Sequence, residues 1–306
     1  MKHLTGIVLV LFFLSALSVC GGGGGSSKDD LIGVWYSYTN NQSGYSIERV
    51  RYTDKGLDGK WHTSDDYIDS CVTMSRDSGN NVIEWVYYSG YGVDNLWFTY
   101  DDIVGSYTTY LYQVIGGKTV REEAYVWTDP GTDGNWFTSD DVMTEYAAYQ
   151  YLGAAQTGYR VFSGPGPDTD WFTIDDDLNY YVVYPDILPY GRNTRLIQYS
   201  GPGNDRNWFT GDDIIGYFYD NVYNSKGFLY RQIYYDGPGN DGFWFTSDDD
   251  VDGYYQYTRD SNNYIVRRDW YYSPGPDGKW FQSVDHVQER SMVDESLVDD
   301  EAFSKH

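Results

Sequence analysis

Seven short segments of the chain hold carboxylates at fixed distances from a tryptophan: DGKWHTSDD, DNLWFTYDD, DGNWFTSDD, DTDWFTIDD, DRNWFTGDD, DGFWFTSDD and DGKWFQSVD. One aspartate stands three residues before each tryptophan and another stands five after it. In the first six segments a further aspartate sits between, four residues after the ring. The sets are Asp58, Asp65 and Asp66; Asp94, Asp101 and Asp102; Asp133, Asp140 and Asp141; Asp168, Asp175 and Asp176; Asp205, Asp212 and Asp213; Asp241, Asp248 and Asp249; and Asp277 with Asp285, where Val284 takes the remaining place. Grouped carboxylates can ligate a hard cation through oxygen, or work as an acid–base pair on a glycosidic bond.

The spacing favours the cation. Counted from Asp129, Asp133 falls at position 5, Gly134 at 6 and Asp140 at 12, a layout similar to an EF-hand calcium loop. Asp54, Asp58, Gly59 and Asp65 repeat it. Position 3 is glycine throughout and position 12 is aspartate, not the bidentate glutamate. Each loop therefore offers three or four carboxylates and a hydroxyl such as Thr246, which predicts weak calcium sites with a Kd of roughly 10⁻⁴ to 10⁻³ M. Turn chemistry competes with this reading, because Asp-Gly and Pro-Gly favour turns and an aspartate pair can cap backbone amides. Recurrence tips the balance toward calcium, since adjacent like charges are costly unless something offsets them.

Catalysis fits less well, because a catalytic pair is normally unique and lies in one cleft. Of the histidines, His3 and His306 are near the ends, while His62 and His286 fall in the first and last loops. No nucleophile elbow, phosphate loop, zinc-type Cys/His spacing or His-Glu-x-x-His pattern occurs. The expectation is a protein that is not an enzyme, with a carbohydrate-active protein as the alternative. A formal net charge of −25 excludes nucleic acid as a partner. The 34 Tyr and 11 Trp could stack on a polysaccharide or anchor a protein if exposed; otherwise they pack the sheet.

The elements that carry these loops follow from the period. Successive tryptophans, Trp61, Trp97, Trp136, Trp171, Trp208, Trp244 and Trp280, are 36, 39, 35, 37, 36 and 36 residues apart, which marks a repeat protein. Between loops, runs such as IIGYFYD and FLYRQIYYD flank the turn-rich NSKG, the pattern of a β-hairpin. About fifteen strands are predicted in this way. The predicted fold is all-β: seven antiparallel hairpin units coiled into a superhelix or shell, with a seven-bladed propeller as the alternative.

The stretch YFYDNVYNSKGFLYRQIYYDGPG resembles the YD repeats of RHS proteins, with Tyr219, Asp220, Gly227, Arg231 and Tyr235 at the matching places. Tyr257, Arg267 and Tyr271 match again, with Asn263 where the turn glycine would be. The resemblance covers roughly residues 31 to 290 and implies a long coiled β-sheet; the acidic loop makes this unit longer than the family's.

The N-terminus has its own signature. Residues 1–20, MKHLTGIVLVLFFLSALSVC, read as a signal peptide whose apolar part is too short to span a membrane. LSVC followed by GGGGGSSKDD resembles a bacterial lipobox and tether, which implies acylation at Cys20 and, with Gly22 after it, an outer-membrane destination. Residues 21–30 are then a flexible tether, 31–293 the repeat domain and 294–306 an acidic tail. Cys71 remains as a lone thiol, expected to be a small buried hydrophobe. The whole reads as a calcium-stabilised hairpin repeat lipoprotein of the cell envelope, structural or adhesive in role; a metal-independent scaffold is a further alternative.

Overall fold

The computed structural model describes residues 35–60, 63–186, 192–259, 265–276, 278–282 and 286–291. The signal segment with Cys20, the tether, the acidic tail, Trp61, His62, Asn263, Asp277, Val284 and Asp285 lie outside the described residues.

Fifteen strands occur among the described residues. They are β1 (Trp35–Asn40), β2 (Ser46–Asp54), β3 (Tyr67–Arg76), β4 (Val82–Gly90), β5 (Ile103–Ile115), β6 (Lys118–Asp129), β7 (Val142–Leu152) and β8 (Ala155–Gly164). There follow β9 (Asp177–Val183), β10 (Arg195–Gly201), β11 (Ile214–Tyr223), β12 (Leu229–Gly237), β13 (Asp250–Arg259), β14 (Ile265–Ser273) and β15 (His286–Ser291). They pair strictly in chain order, each antiparallel to the next, in one sheet. This is the expected hairpin array. The propeller alternative is excluded, because separate four-stranded blades would interrupt the ladder, and it runs unbroken from β1 to β15. The two end strands pass close to one another without pairing, as strand twist over many strands brings about.

Short turns with left-handed residues close the hairpins. Gly116 and Gly117, both at positive φ, make the two-residue link between β5 and β6. At the β11–β12 turn the Asn224 carboxamide accepts from the Lys226 and Phe228 amides, and Gly227 takes φ +80. Asp220 of the Tyr-Asp stretch accepts two hydrogen bonds, at 2.6 and 2.8 Å, from Arg195 on the paired strand, an arginine 36 residues before Arg231.

Successive side chains alternate across the sheet, so both faces need cover. On one face Val72, Tyr110, Tyr159, Tyr180, Val182 and Leu196 join a continuous buried cluster, with a smaller one around Tyr255, Tyr257 and Ile265. On the other, Tyr181, the neighbour of Tyr180, meets Trp208 and Phe209 of an acidic loop. The loops thus fold back as the lid of the second face.

Candidate functional site: the acidic loops

The loop of residues 129–141 shows how each is built. Asp129 Oδ1 accepts from the Gly131 amide at 2.9 Å, and Asp133 Oδ1 from the Asn135 amide at 2.7 Å. Asp140 Oδ2 reaches back to the Thr132 and Asp133 amides at 2.8 and 3.0 Å, and Asp141 Oδ2 accepts from the Phe137 amide at 2.8 Å. The Thr138 hydroxyl lies 2.7 Å from Asp140 Oδ1, 3.1 Å from Asp141 Oδ1 and 3.1 Å from the Asn135 carbonyl. A Cβ on Gly131 would sit 2.0 Å from the Asp140 carbonyl oxygen, so this glycine is obligatory. Gly134 faces open space, and its place is held by Asn95, Thr169 and Arg206 in other loops, all at positive φ. The bend glycine of the calcium-loop comparison is therefore replaceable, whereas the glycine at position 3 is not.

The same frame recurs. Asp65, Asp101, Asp175, Asp212 and Asp248 accept, at 3.0 to 3.2 Å, from the amides of Asp58, Asp94, Asp168, Asp205 and Asp241. Asp102, Asp176, Asp213 and Asp249 accept from the amides of Phe98, Phe172, Phe209 and Phe245. In the first loop Asp66 accepts from Thr63, and Asp54 from Gly56. Each carboxylate pair meets at one threonine hydroxyl, for instance Asp248 and Asp249 at Thr246. Asp241 instead turns Oδ1 to the Phe243 amide. Among the described residues no three acidic, histidine or cysteine side chains form a group able to hold a metal.

The donors set the charge state. Asp140 is held well below the usual carboxylate range by the Thr138 hydroxyl, then Thr132 and the loop amides, and Asp65, Asp101, Asp175, Asp212 and Asp248 shift down for the same first reason. Burial pushes Asp141 upward, but the Tyr107 hydroxyl and the Phe137 amide outweigh it and its pKa falls.

The third, fourth and fifth loops are each clasped to an earlier strand. Tyr107, Tyr146 and Tyr181 donate their hydroxyls to Asp141, Asp176 and Asp213 at 2.7, 2.9 and 2.6 Å. Their rings stack on Trp127, Phe162 and Tyr199, and take the loop tryptophans Trp136, Trp171 and Trp208 edge-on. The phenylalanine after each tryptophan packs on the same ring at 4.7 to 5.0 Å and occupies left-handed backbone, φ +67 to +70. A bulky side chain there costs about 1–2 kcal/mol, which the ring contact offsets. Three arginines cover the later phenylalanines: Arg160 over Phe209, Arg195 over Phe245 and Arg231 over Phe281. Neither the clasp nor the left-handed phenylalanine was read from the sequence. The available signal was the residue ten places after each of the first six loop tryptophans: Cys71, Tyr107, Tyr146, Tyr181, Phe218 and Tyr254.

No protein-family model and no curated protein matches the chain. Solved structures to which it is similar include the TcdB2-TccC3-TEV crystal structure, at 9% identity and a TM-score of 0.27 over 81% of this chain and 11% of that one. A second is the Photorhabdus luminescens Tc holotoxin pore, at 13% identity and 0.28 over 78% and 11%. A third is a Bacteroides fragilis protein of unknown function, at 11% identity and 0.15 over 71% and 91%. The chain spans about a tenth of the length of the first two, and at such TM-scores none of the three carries an argument about fold or function.

Proposed function

We propose that this chain is a β-hairpin repeat scaffold of the bacterial cell envelope, tethered to the outer membrane by a lipid on Cys20, with a structural or binding role. The observation that carries the scaffold is the sameness of the loops. In each of the first six loops, the paired aspartates are spent on the loop's own amides and threonine, so a structural job explains their recurrence. Removing one whole unit, residues 214–249, tests this. The shorter chain should stay folded with a lower Tm, because each unit of a repeat array contacts only its neighbours; an aggregated or unfolded product would sink the reading. The tether is tested by metabolic labelling with palmitate, which Cys20→Ser should abolish.

A second reading, weak calcium binding by the loops, is favoured by one feature. The Thr138 hydroxyl has a single proton, yet two carboxylate oxygens and a carbonyl oxygen lie within 3.1 Å of it. A cation near Asp140, Asp141, Thr138 and the Asn135 carbonyl would neutralise the excess acceptors, with water completing the six to eight oxygens that calcium takes. Calcium should then raise the Tm in proportion to occupancy; equal melts in millimolar calcium and in chelator would end this reading.

A further inference from the structure

Three side chains of the loop vary in type without changing its backbone frame: those four and one residues before the tryptophan and three after it, even where, as at Thr132 and Asn135, they add a hydrogen bond to Asp140 or to the Asp133 carbonyl. In the loop of residues 129–141 these are Thr132, Asn135 and Ser139, and in that of 201–213 they are Asn204, Asn207 and Gly211. The loop of residues 91–102 differs. Its three places hold Val93, Leu96 and Tyr100, at 92%, 61% and 99% exposure, with Phe98 half exposed beside them. No other of the six loops before the last is apolar at all three places. An exposed apolar group of this kind marks an interaction surface. Its surroundings are net acidic: the same loop carries Asp94, Asp101 and Asp102 and the next carries Asp129, Asp133, Asp140 and Asp141 with no lysine or arginine in either, while the preceding loop sets Asp54, Asp58, Asp65 and Asp66 against Lys55 and Lys60.

We propose that the loop of residues 91–102 docks a cationic amphipathic protein segment, whose apolar side chains cover Val93, Leu96 and Tyr100 while its lysines or arginines meet the aspartates around them. An apolar centre with a charged rim is the anatomy of a protein interface, and the rim's net negative charge selects the partner's sign. The loop's backbone is already fixed by Asp101 and Asp102, which accept from the Asp94 and Phe98 amides, so little ordering is needed on binding. The proposal names a partner for the binding role above and rests on the scaffold reading only for that, and its failure would leave the repeat-deletion result untouched.

The sibling loop supplies a variant that keeps the fold. Val93→Thr, Leu96→Asn and Tyr100→Ser together place in this loop the residues that the same frame already carries at 132, 135 and 139. The probe is a labelled synthetic peptide alternating leucine and lysine, with a lysine–serine peptide of equal charge as control, followed by fluorescence anisotropy on the full chain. The leucine–lysine peptide should bind more tightly than the control, and the triple variant should weaken it by about tenfold or more with an unchanged thermal melt. The reverse exchange, Thr132→Val, Asn135→Leu and Ser139→Tyr, should add affinity. Equal binding of both peptides, no binding of either, or indifference to the triple variant would overturn the proposal. So would sedimentation showing a dimer that the triple variant abolishes, which assigns the patch to a second copy, or flotation with phosphatidylcholine vesicles that it abolishes, which assigns it to lipid.

Discussion

The clasp position varies along the array. In the middle, Tyr107, Tyr146 and Tyr181 contribute both a stacked ring and a hydroxyl to the loop two strands away. Toward the C-terminus, Phe218 keeps the ring, stacked at 4.3 Å on Tyr235 and edge-on to Trp244, but has no hydroxyl for Asp249. Toward the N-terminus, Cys71 has neither; its thiol is pushed up to about 12 by burial first, then by the Glu48 and Asp102 carboxylates. The loops nevertheless keep the same internal frame, with Asp102 and Asp249 still capping Phe98 and Phe245. The ring and the hydroxyl are therefore separable devices: one fills the second face, and the other ties a loop to its neighbour.

The largest break in this comparison is Tyr146→Ala, which removes a buried ring together with its stack on Phe162 and its contacts to Trp171 and Phe172. It should lower stability by about 3–5 kcal/mol, as aromatic truncation in a core does. Denaturant unfolding checks this, and a loss no larger than that of Tyr146→Phe would show that the ring is not core. Tyr146→Phe leaves the ring and deletes a hydrogen bond to a buried carboxylate, for an expected loss of about 1.5–3 kcal/mol. The reciprocal change, Phe218→Tyr, supplies Asp249 with the missing donor and should raise stability by about 1 kcal/mol. If Phe218→Tyr destabilises instead, the two regions differ in packing and not only in the hydroxyl.

Much of this was legible from local pattern. Alternation and turn residues announced the strands, because the period of two and the preference for left-handed glycine act over a few residues, and the stretch NSKG, ending in Gly227 at φ +80, is read directly as a hairpin turn. The repeated carboxylates were legible as a loop device, but not their partners. A calcium loop and a self-capped loop both need acceptors at intervals along a bending backbone, so Asp133, Asp140 and Asp141 look alike in either. The clasp depends on pairing register: Tyr107 reaches Asp141 across 34 residues, a distance over which composition carries no signal. Phe137 reads as an ordinary core residue, and nothing in its type suggests φ +67.

That left-handed phenylalanine gives a smaller, sharper test. Phe172→Ala and Phe172→Gly both remove the ring that packs on Tyr146 and Tyr125, but only glycine relieves the backbone at φ +70. The glycine variant should be more stable than the alanine variant by about 1 kcal/mol. An alanine variant that equals or exceeds it would mean that the loop relaxes out of the left-handed region once the ring is gone.

The smallest effect appears only away from neutral pH. Tyr107, Tyr146 and Tyr181 are raised above the ordinary tyrosine value, by burial first and then by the hydrogen bond to an aspartate. A group raised on folding stabilises fully below its unfolded pKa, about 10 for tyrosine, and that stabilisation drains as pH climbs toward the folded value. Asp141 is shifted the other way, so its contribution is intact above the usual carboxylate range and drains as pH falls through its lowered folded pKa. Stability should therefore be level between about pH 5 and 9 and fall on both sides. Above pH 10 the fall should be shallower in Tyr146→Phe, since one clasp no longer titrates, and steeper in Phe218→Tyr, since one has been added. Urea midpoints measured from pH 9 to 11 read this directly: parallel curves for all three proteins would show that the alkaline loss comes from tyrosines outside the clasps.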